Sequence, residues 1–297
     1  MRRCTPRIIA SPKPRRNRAV ATLRPSPAPV PAVPTHSPEV SPLVAGRLLT
    51  AVGARPAEWR VAEEVPLAVL VNGENFAVMM LTPADLEDFA LGFALTEGLV
   101  RRAADVEAIA LGEAAEGLVA NLKIAPGLLS GVEARRRTLA GRSGCGVCGA
   151  QTIAAAVPKP RPVSGALPDF AALARAYAAL PAAQAMNRAN RTTHAAAWCA
   201  LNGSVQALRE DIGRHNALDK LAGALARDNR DAGAGFVLLS SRVSVEMVQK
   251  AAAIGAPALA AVSAPTALAL RMAGRAGMTV YVRTPEGIMA FSPEPPR

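Results

Sequence analysis

The sequence predicts a mixed α/β protein, α+β overall, with two ordered units behind a disordered tail. Three observations predict it. From His194 onward short apolar strands alternate with helical stretches almost to the C-terminus, the pattern of a sheet at least partly parallel with helices on its faces. Before residue 135, two β-rich runs flank Asn72-Gly73 and are followed by a capped amphipathic helix, a smaller and more local arrangement. The first 42 residues hold ten of the 25 prolines, which forbids helix and ladder pairing there. The resulting division is a tail over 1–42, a smaller α+β domain over 43–134, an Arg-rich connector and C-x-x-C loop over 135–150, and an α/β domain over 151–297.

At 297 residues the chain is long enough for about two domains, and apolar residues make up 51% of it. Aromatic residues are only 3%, so the core must be built from Ala, Val and Leu. The formal charge of +11 would ordinarily suggest nucleic acid or another anionic partner. Its distribution weakens that inference: eight basic side chains against Glu39 give the tail +7, leaving +4 for everything else. The tail therefore reads as a linker-like extension or a partner arm, and no nucleic-acid partner is expected of the ordered chain. Arg15, Arg16 and Arg18 interrupt any signal-peptide apolar region, so a cytoplasmic protein is expected.

Within the smaller unit, Arg60–Val71 and Phe76–Leu81 read as the arms of a hairpin. Thr82-Pro83-Ala84-Asp85 then reads as a helix start, with Thr82 capping and Pro83 in the first turn. Leu86, Phe89, Ala90 and Phe93 form its apolar stripe, and Gly98 ends it. Val106–Leu111 and Leu118–Ile124 are two further β-like runs.

Next comes Gly141-Arg142-Ser143-Gly144-Cys145-Gly146-Val147-Cys148-Gly149, preceded by Arg135-Arg136-Arg137. Thiolates at this spacing can share a metal, close a disulfide, or offer a nucleophile with a neighbour that resolves it. Gly144, Gly146 and Gly149 widen the accessible backbone angles, and nearby cations favour the reactive thiolate.

In the larger unit, Gln151–Val157 and Phe170–Leu180 are Ala-rich helical stretches. His194–Leu201 and Val205–Leu208 are strands around Asn202-Gly203, followed by a helix over His215–Arg227, a strand over Phe236–Ser240 and a helix over Val245–Ile254. Ala258–Val262 is a strand, Thr266–Ala276 a helix, and Met278–Val282 a final core strand. Ala251–Leu270 is twenty residues without a charge, the length of a membrane span. Gly255-Ala256-Pro257 and Ser263-Ala264-Pro265 divide it into a helix end, a strand and a new helix start, so no membrane span is expected.

In sheets of this kind ligands gather at the carboxyl ends of strands, facing helix N-termini. Here those ends lead into Arg209–His215, Ser240–Ser244 and Ser263–Thr266. The densest polar stretch, Arg209 to Lys220, reads either as a solvated helix start or as a phosphate-holding one. His194 on its apolar strand is either a satisfied structural histidine or a functional one.

Five stretches together resemble the FdhD family of sulfur carrier proteins required for active formate dehydrogenases. They are Thr82 to Phe93 with Thr96-Glu97-Gly98, Arg142 to Gly149, Thr193-His194-Ala195-Ala196, Glu210 to Lys220, and Ser240-Ser241-Arg242 with Glu246-Met247-Val248 and Lys250. The resemblance implies a larger cytidine-deaminase-like α/β domain, a smaller domain and a homodimer. It also implies a sulfurtransferase role: persulfide sulfur comes from a cysteine desulfurase and passes to the bis(molybdopterin guanine dinucleotide) molybdenum cofactor of formate dehydrogenase. By resemblance Cys145 carries the persulfide and Cys148 assists. The family's cofactor contact falls at Tyr281, Val282, Arg283, Thr284, Pro285 and Glu286, and Arg214 and His215 are added because they open a helix that can hold phosphate. No permanent metal is expected.

Three other chemistries share the motif. A zinc-dependent, deaminase-like hydrolase uses H-x-E followed by P-C-x-x-C, but this chain has no H-x-E and Gly144 stands at the proline position. A structural zinc needs four ligands, and His194 and Cys199, five apart, face opposite sides of one strand. A thiol-disulfide oxidoreductase remains the stronger rival, since C-x-x-C is its motif too.

Overall fold

The computed structural model describes residues 39–128 and 159–293. Nearly all of the tail, the C-x-x-C loop and the Gln151–Val157 stretch lie outside the described residues.

The chain enters as a two-stranded antiparallel ribbon, β1 (Leu43–Thr50) and β2 (Gly53–Arg60). Sequence reasoning missed this ribbon and assigned Arg60 to the next strand. The smaller sheet follows, built from β3 (Val65–Val71), β4 (Glu74–Leu81), β5 (Val106–Ala114) and β6 (Gly117–Ile124) in the order β4-β3-β6-β5. The Asn72-Gly73 turn joins β3 to β4 with both residues at positive φ, 49° and 84°, as the hairpin signal requires. Helix α1 (Leu86–Thr96) lies across this sheet, and Gly98 at φ 73° closes its end. Phe76, Phe89 and Phe93 fill the space between them.

In the larger unit come α2 (Phe170–Ala183), α3 (Ala185–Asn190), β7 (His194–Ala200), β8 (Val205–Asp211), α4 (Arg214–Arg227), β9 (Gly235–Leu239), α5 (Val245–Ala253), β10 (Ala258–Ala261), α6 (Ala267–Ala276), β11 (Thr279–Thr284) and β12 (Gly287–Phe291). The six strands run in the order β12-β11-β10-β9-β7-β8. Strands β9, β10 and β11 are mutually parallel, β7 and β12 run against their neighbours, and β8 therefore points the same way as the parallel three. Helices α4, α5 and α6 pack on one face and α2 on the other. The uncharged run 251–270 is the end of α5, β10 and the start of α6, as its Gly-Pro punctuation predicts. Among the described residues no helix is long and apolar enough to cross a membrane.

The two units meet through α1 and α4, so the molecule is layered as small sheet, α1, α4, large sheet. Their crossing is close because each helix has a glycine there. A Cβ on Gly92 would sit 1.7 Å from the Asp219 carbonyl oxygen, and one on Gly223 would sit 1.9 Å from that of Asp88.

The predicted cap of α1 is corrected by the structure. Asp85, at φ 53°, occupies the N-cap and makes no side-chain cap bond, whereas Thr82 is fully buried and turned toward the other unit. Both its backbone N–H and its hydroxyl donate to Asp211 Oδ2, at 3.0 and 2.9 Å. An acceptor carboxylate in the core outweighs a local cap because Asp211 would otherwise be a buried charge short of partners.

Candidate functional site

The carboxyl ends of β8, β9, β10 and β11 and the start of β7 share one edge of the large sheet, with the N-termini of α4, α5 and α6 beside them. Strand β8 continues past the predicted Leu208 to Asp211, which pairs with His194 of β7. Four residues thereby converge: His194, Asp211, Arg214 and His215. Ser240 joins from the end of β9, donating its N–H to the Ala195 carbonyl and accepting the Ala195 N–H on its hydroxyl.

The turn that presents Arg214 and His215 is held by Asp211. Its Oδ1 accepts the Gly213 N–H at 2.8 Å and the Asn216 side-chain amide at 3.0 Å, while Oδ2 meets Lys220 Nζ at 2.7 Å. Lys220, with no exposed surface, also donates to the Thr82 carbonyl at 3.0 Å. Burial lowers the Lys220 pKa, opposed by the Asp211 carboxylate against it. The neighbouring Glu210, also buried, accepts the N–H groups of Met186 and Asn187 and so satisfies the first turn of α3. The motif residues around Arg214 are therefore largely scaffolding for a short half-buried pair.

A second buried cluster lies one turn along α4. Lys250 of α5 donates to both Asp219 oxygens, at 2.8 and 2.9 Å, to Glu97 at 3.0 Å and to Thr96 at 3.0 Å. Burial works against the ammonium, but Asp219 and Glu97 outweigh it and hold the pKa above its ordinary value. Sequence reading missed these networks, since Lys and Asp on a helix ordinarily mark a solvated face.

Around this half-buried pair the electrostatics are divided. Burial, with Arg214 and His215 nearby, lowers the pKa of His194, against a smaller opposing pull from Asp211. Glu246, in the first turn of α5, has Oε2 3.9 Å from His215 Nε2. Burial raises its pKa, but His215, Ser244 and its own backbone amide more than offset that and bring the carboxyl down to about 2. A carboxylate depressed in the fold contributes stability that is present above its unfolded value of 4.5 and is lost as pH falls toward about 2. Glu246→Gln is therefore expected to flatten the loss of melting temperature across that acid window, and an unchanged slope would remove the ion pair as its cause.

Arg214 Nε is buried and has no hydrogen-bond partner among the described residues. An orphaned donor costs roughly 1–3 kcal/mol, so this guanidinium fits an anionic ligand at the start of α4.

The remaining predicted contacts lie elsewhere on the same edge. Tyr281 and Val282 are buried in the two core layers, Thr284 closes the β11–β12 turn through Gly287, and Arg283, Pro285 and Glu286 are exposed. Four strand spacings separate β11 from β8, about 19 Å at ~4.8 Å each. Arg283 and Arg214 thus address different parts of any ligand long enough to reach both. Cys145 and Cys148 lie outside the described residues. Cys199 is fully buried and its thiol is pushed up to about 12 by burial, which makes it inert packing on the face opposite His194. Among the described residues no group of three or more His, Cys, Asp or Glu side chains is placed to hold a metal.

The chain is similar to known proteins over most of its length. The family described as FdhD/NarQ matches residues 62–291. The sulfur carrier protein FdhD of Cupriavidus necator is 46% identical over 274 residues, covering 87% of this chain and 95% of its own. That of Xanthomonas euvesicatoria pv. vesicatoria is 51% identical over 221 residues, covering 74% and 79%. A crystal structure from Desulfotalea psychrophila, of a candidate formate dehydrogenase accessory protein, superposes with a TM-score of 0.67 over 86% of this chain and 97% of that one. At 23% identity it shares the fold. The matched span takes in the small sheet, α1, α4 and the whole carboxyl edge, and the chain belongs to the FdhD/NarQ family.

Proposed function

We propose that this protein is a sulfur carrier for formate dehydrogenase maturation, a sulfurtransferase that takes persulfide sulfur from a cysteine desulfurase and passes it to the bis(molybdopterin guanine dinucleotide) molybdenum cofactor. The Cys145 thiolate attacks the outer sulfur of the donor's persulfide. The donor S–S bond breaks, the donor cysteine leaves as thiolate, and Cys145 is left as the persulfide, with no net oxidation. Cys148 assists, and the carrier works in the cytoplasm as a pair of identical chains.

The observation that carries the acceptor half is the carboxyl edge, where the buried Arg214 Nε, without a hydrogen-bond partner among the described residues, stands at the N-terminus of α4 beside His215. Phosphate groups are what such a helix start and guanidinium hold best. Arg283 and the exposed β11–β12 turn, about 19 Å away along the edge, suit the far end of a ligand with two dinucleotide arms. The donor half is supported by the C-x-x-C sequence beside Arg142 and by the relatives' designation as sulfur carriers.

Two measurements test the halves separately. Mass spectrometry after incubation with a cysteine desulfurase and cysteine is expected to show added sulfur on Cys145, and an unmodified protein would refute the carrier role. Calorimetry with GDP, as a fragment of the acceptor, is expected to show Arg214→Ala weakening binding by about one to two decades, the worth of a charge-assisted contact. Equal affinities would move the phosphate site away from α4.

A further inference from the structure

The turn that opens α4 is tied to the small unit as well as to its own. At the junction of β4 and α1, Met80 and Thr82 meet the segment 211–220 through five hydrogen bonds. Asn216 donates a side-chain N–H to the Met80 carbonyl at 2.7 Å. Thr82 donates its N–H and its hydroxyl to Asp211 Oδ2, and Lys220 Nζ donates to the Thr82 carbonyl and hydroxyl at 3.0 and 2.9 Å. Thr82, Asp211, Asn216 and Lys220 are all buried.

The donor and acceptor inventory fixes where each proton points. Lys220 only donates, so the Thr82 hydroxyl accepts from it and directs its single proton to Asp211. Lys220 also meets Asp211 Oδ2 at 2.7 Å, which closes a ring of three buried groups. The Asn216 amide gives one proton to Met80 and the other to Asp211 Oδ1. One oxygen of Asp211 therefore faces the small unit, while the other holds Gly213 and Asn216 on either side of Arg214 and His215. A carboxylate is rigid and planar, so turning one oxygen turns the other.

We infer that Thr82 is a positioning residue of the phosphate site. It belongs to the small unit and, being fully buried, touches no ligand, yet it orients the Asp211 carboxylate and through it the turn that presents Arg214 and His215. Docking of the units and binding at α4 are then linked, and each favours the other by the same factor. The inference rests on the phosphate-site reading above and deepens it.

The fold supplies an internal control. A second ring of the same composition lies farther along α4, where the Thr96 hydroxyl donates to Asp219 at 2.5 Å and Lys250 donates to both. Thr96 also comes from the small unit, but the carboxylate it meets is held by Lys250 rather than by the Gly213–Asn216 turn.

Calorimetry of the full chain with GDP tests the assignment. Thr82→Val keeps the shape and loses the hydroxyl, and is expected to weaken binding roughly tenfold, the scale of one charge-assisted hydrogen bond. Thr82→Ser is expected to restore the affinity, and Thr96→Val to lower the melting temperature without changing it. In an Arg214→Ala background, Thr82→Val is expected to add less than about a twofold loss, because it acts through that turn. Hydrogen exchange of the unaltered chain gives the reciprocal reading and decides the case if Thr82→Val does not fold: GDP should slow the Thr82 amide, which donates to Asp211, more than the Thr96 amide. An affinity untouched by Thr82→Val, one lowered as much by Thr96→Val, or equal protection of the two amides would overturn the positioning role alone. No binding by the unaltered chain, or unchanged affinity in Arg214→Ala, would overturn the phosphate-site reading together with it.

Discussion

Gly92→Ala is expected to uncouple the two units, because the added carbon has nowhere to go. It would lie 1.7 Å from the Asp219 carbonyl oxygen and 2.7 Å from the Asp219 carbonyl carbon and the Gly223 nitrogen, all backbone of α4. A side chain could rotate away, but a helix backbone has to translate as a body. Parting α1 from α4 by more than an ångström would also open Thr96 to Asp219 at 2.5 Å, and Asp88 to Arg209 and Arg227 at 2.7 and 2.9 Å. Overpacking alone costs ~1–3 kcal/mol, and stripping partners from a buried carboxylate costs ~3–5 kcal/mol more. Denaturant unfolding should therefore lose most of its stability or split into two transitions. Gly274→Ala is the internal control. It sits in α6 with open space where its Cβ would go, and is expected to gain about 0.5–1 kcal/mol from helix propensity. Equal behaviour of the two variants would show that the crossing yields more easily than its distances suggest.

What could be read from the sequence was what depends on neighbours in the chain. Asn72-Gly73 and Asn202-Gly203 mark turns because φ above zero is a local demand, and Gly73 and Gly203 both meet it at 84°. The alternation after His194 gave the strands and helices of the large unit to within a few residues, except β12, whose turn follows Thr284. What could not be read was settled by partners far away. Thr82 has the sequence context of a cap, yet its acceptor Asp211 is 129 residues distant. Lys220 and Lys250 look like solvated charges on helices, yet each is surrounded by oxygens drawn from both units. The ribbon β1–β2 went unseen for a different reason: its apolar and charged residues fall on both faces, so it has no period-two alternation to betray it. At the site, the polar cluster around Arg214 and His215 was legible from composition, but the separation of Arg214 from Arg283 came only with the strand order.

Cys145→Ala is expected to abolish both sulfur loading and maturation of the target dehydrogenase, whereas Cys148→Ala should still accept sulfur at Cys145. The inequality follows from what a carrier requires: one thiolate attacks the donor persulfide and then presents its own outer sulfur, while a second thiol influences release or protects against overoxidation. Arg142 stands three residues before Cys145 and six before Cys148, so the nearer cation favours the Cys145 thiolate. Gly144 and Gly146 flank that residue in sequence and carry no side chain to obstruct a donor or an acceptor. A thiol-disulfide oxidoreductase behaves differently, because its cycle closes through the pair and loss of either cysteine stops it to about the same degree. Loading followed by mass spectrometry, with dehydrogenase activity measured in cells lacking the native carrier, separates the cases. Equal failure of both variants in both measurements would favour the oxidoreductase. Normal loading and delivery by Cys145→Ala would reassign the nucleophile to Cys148 or Cys4, which the site of the added sulfur distinguishes, since Cys199 is buried with a thiol pushed up to about 12 and cannot substitute.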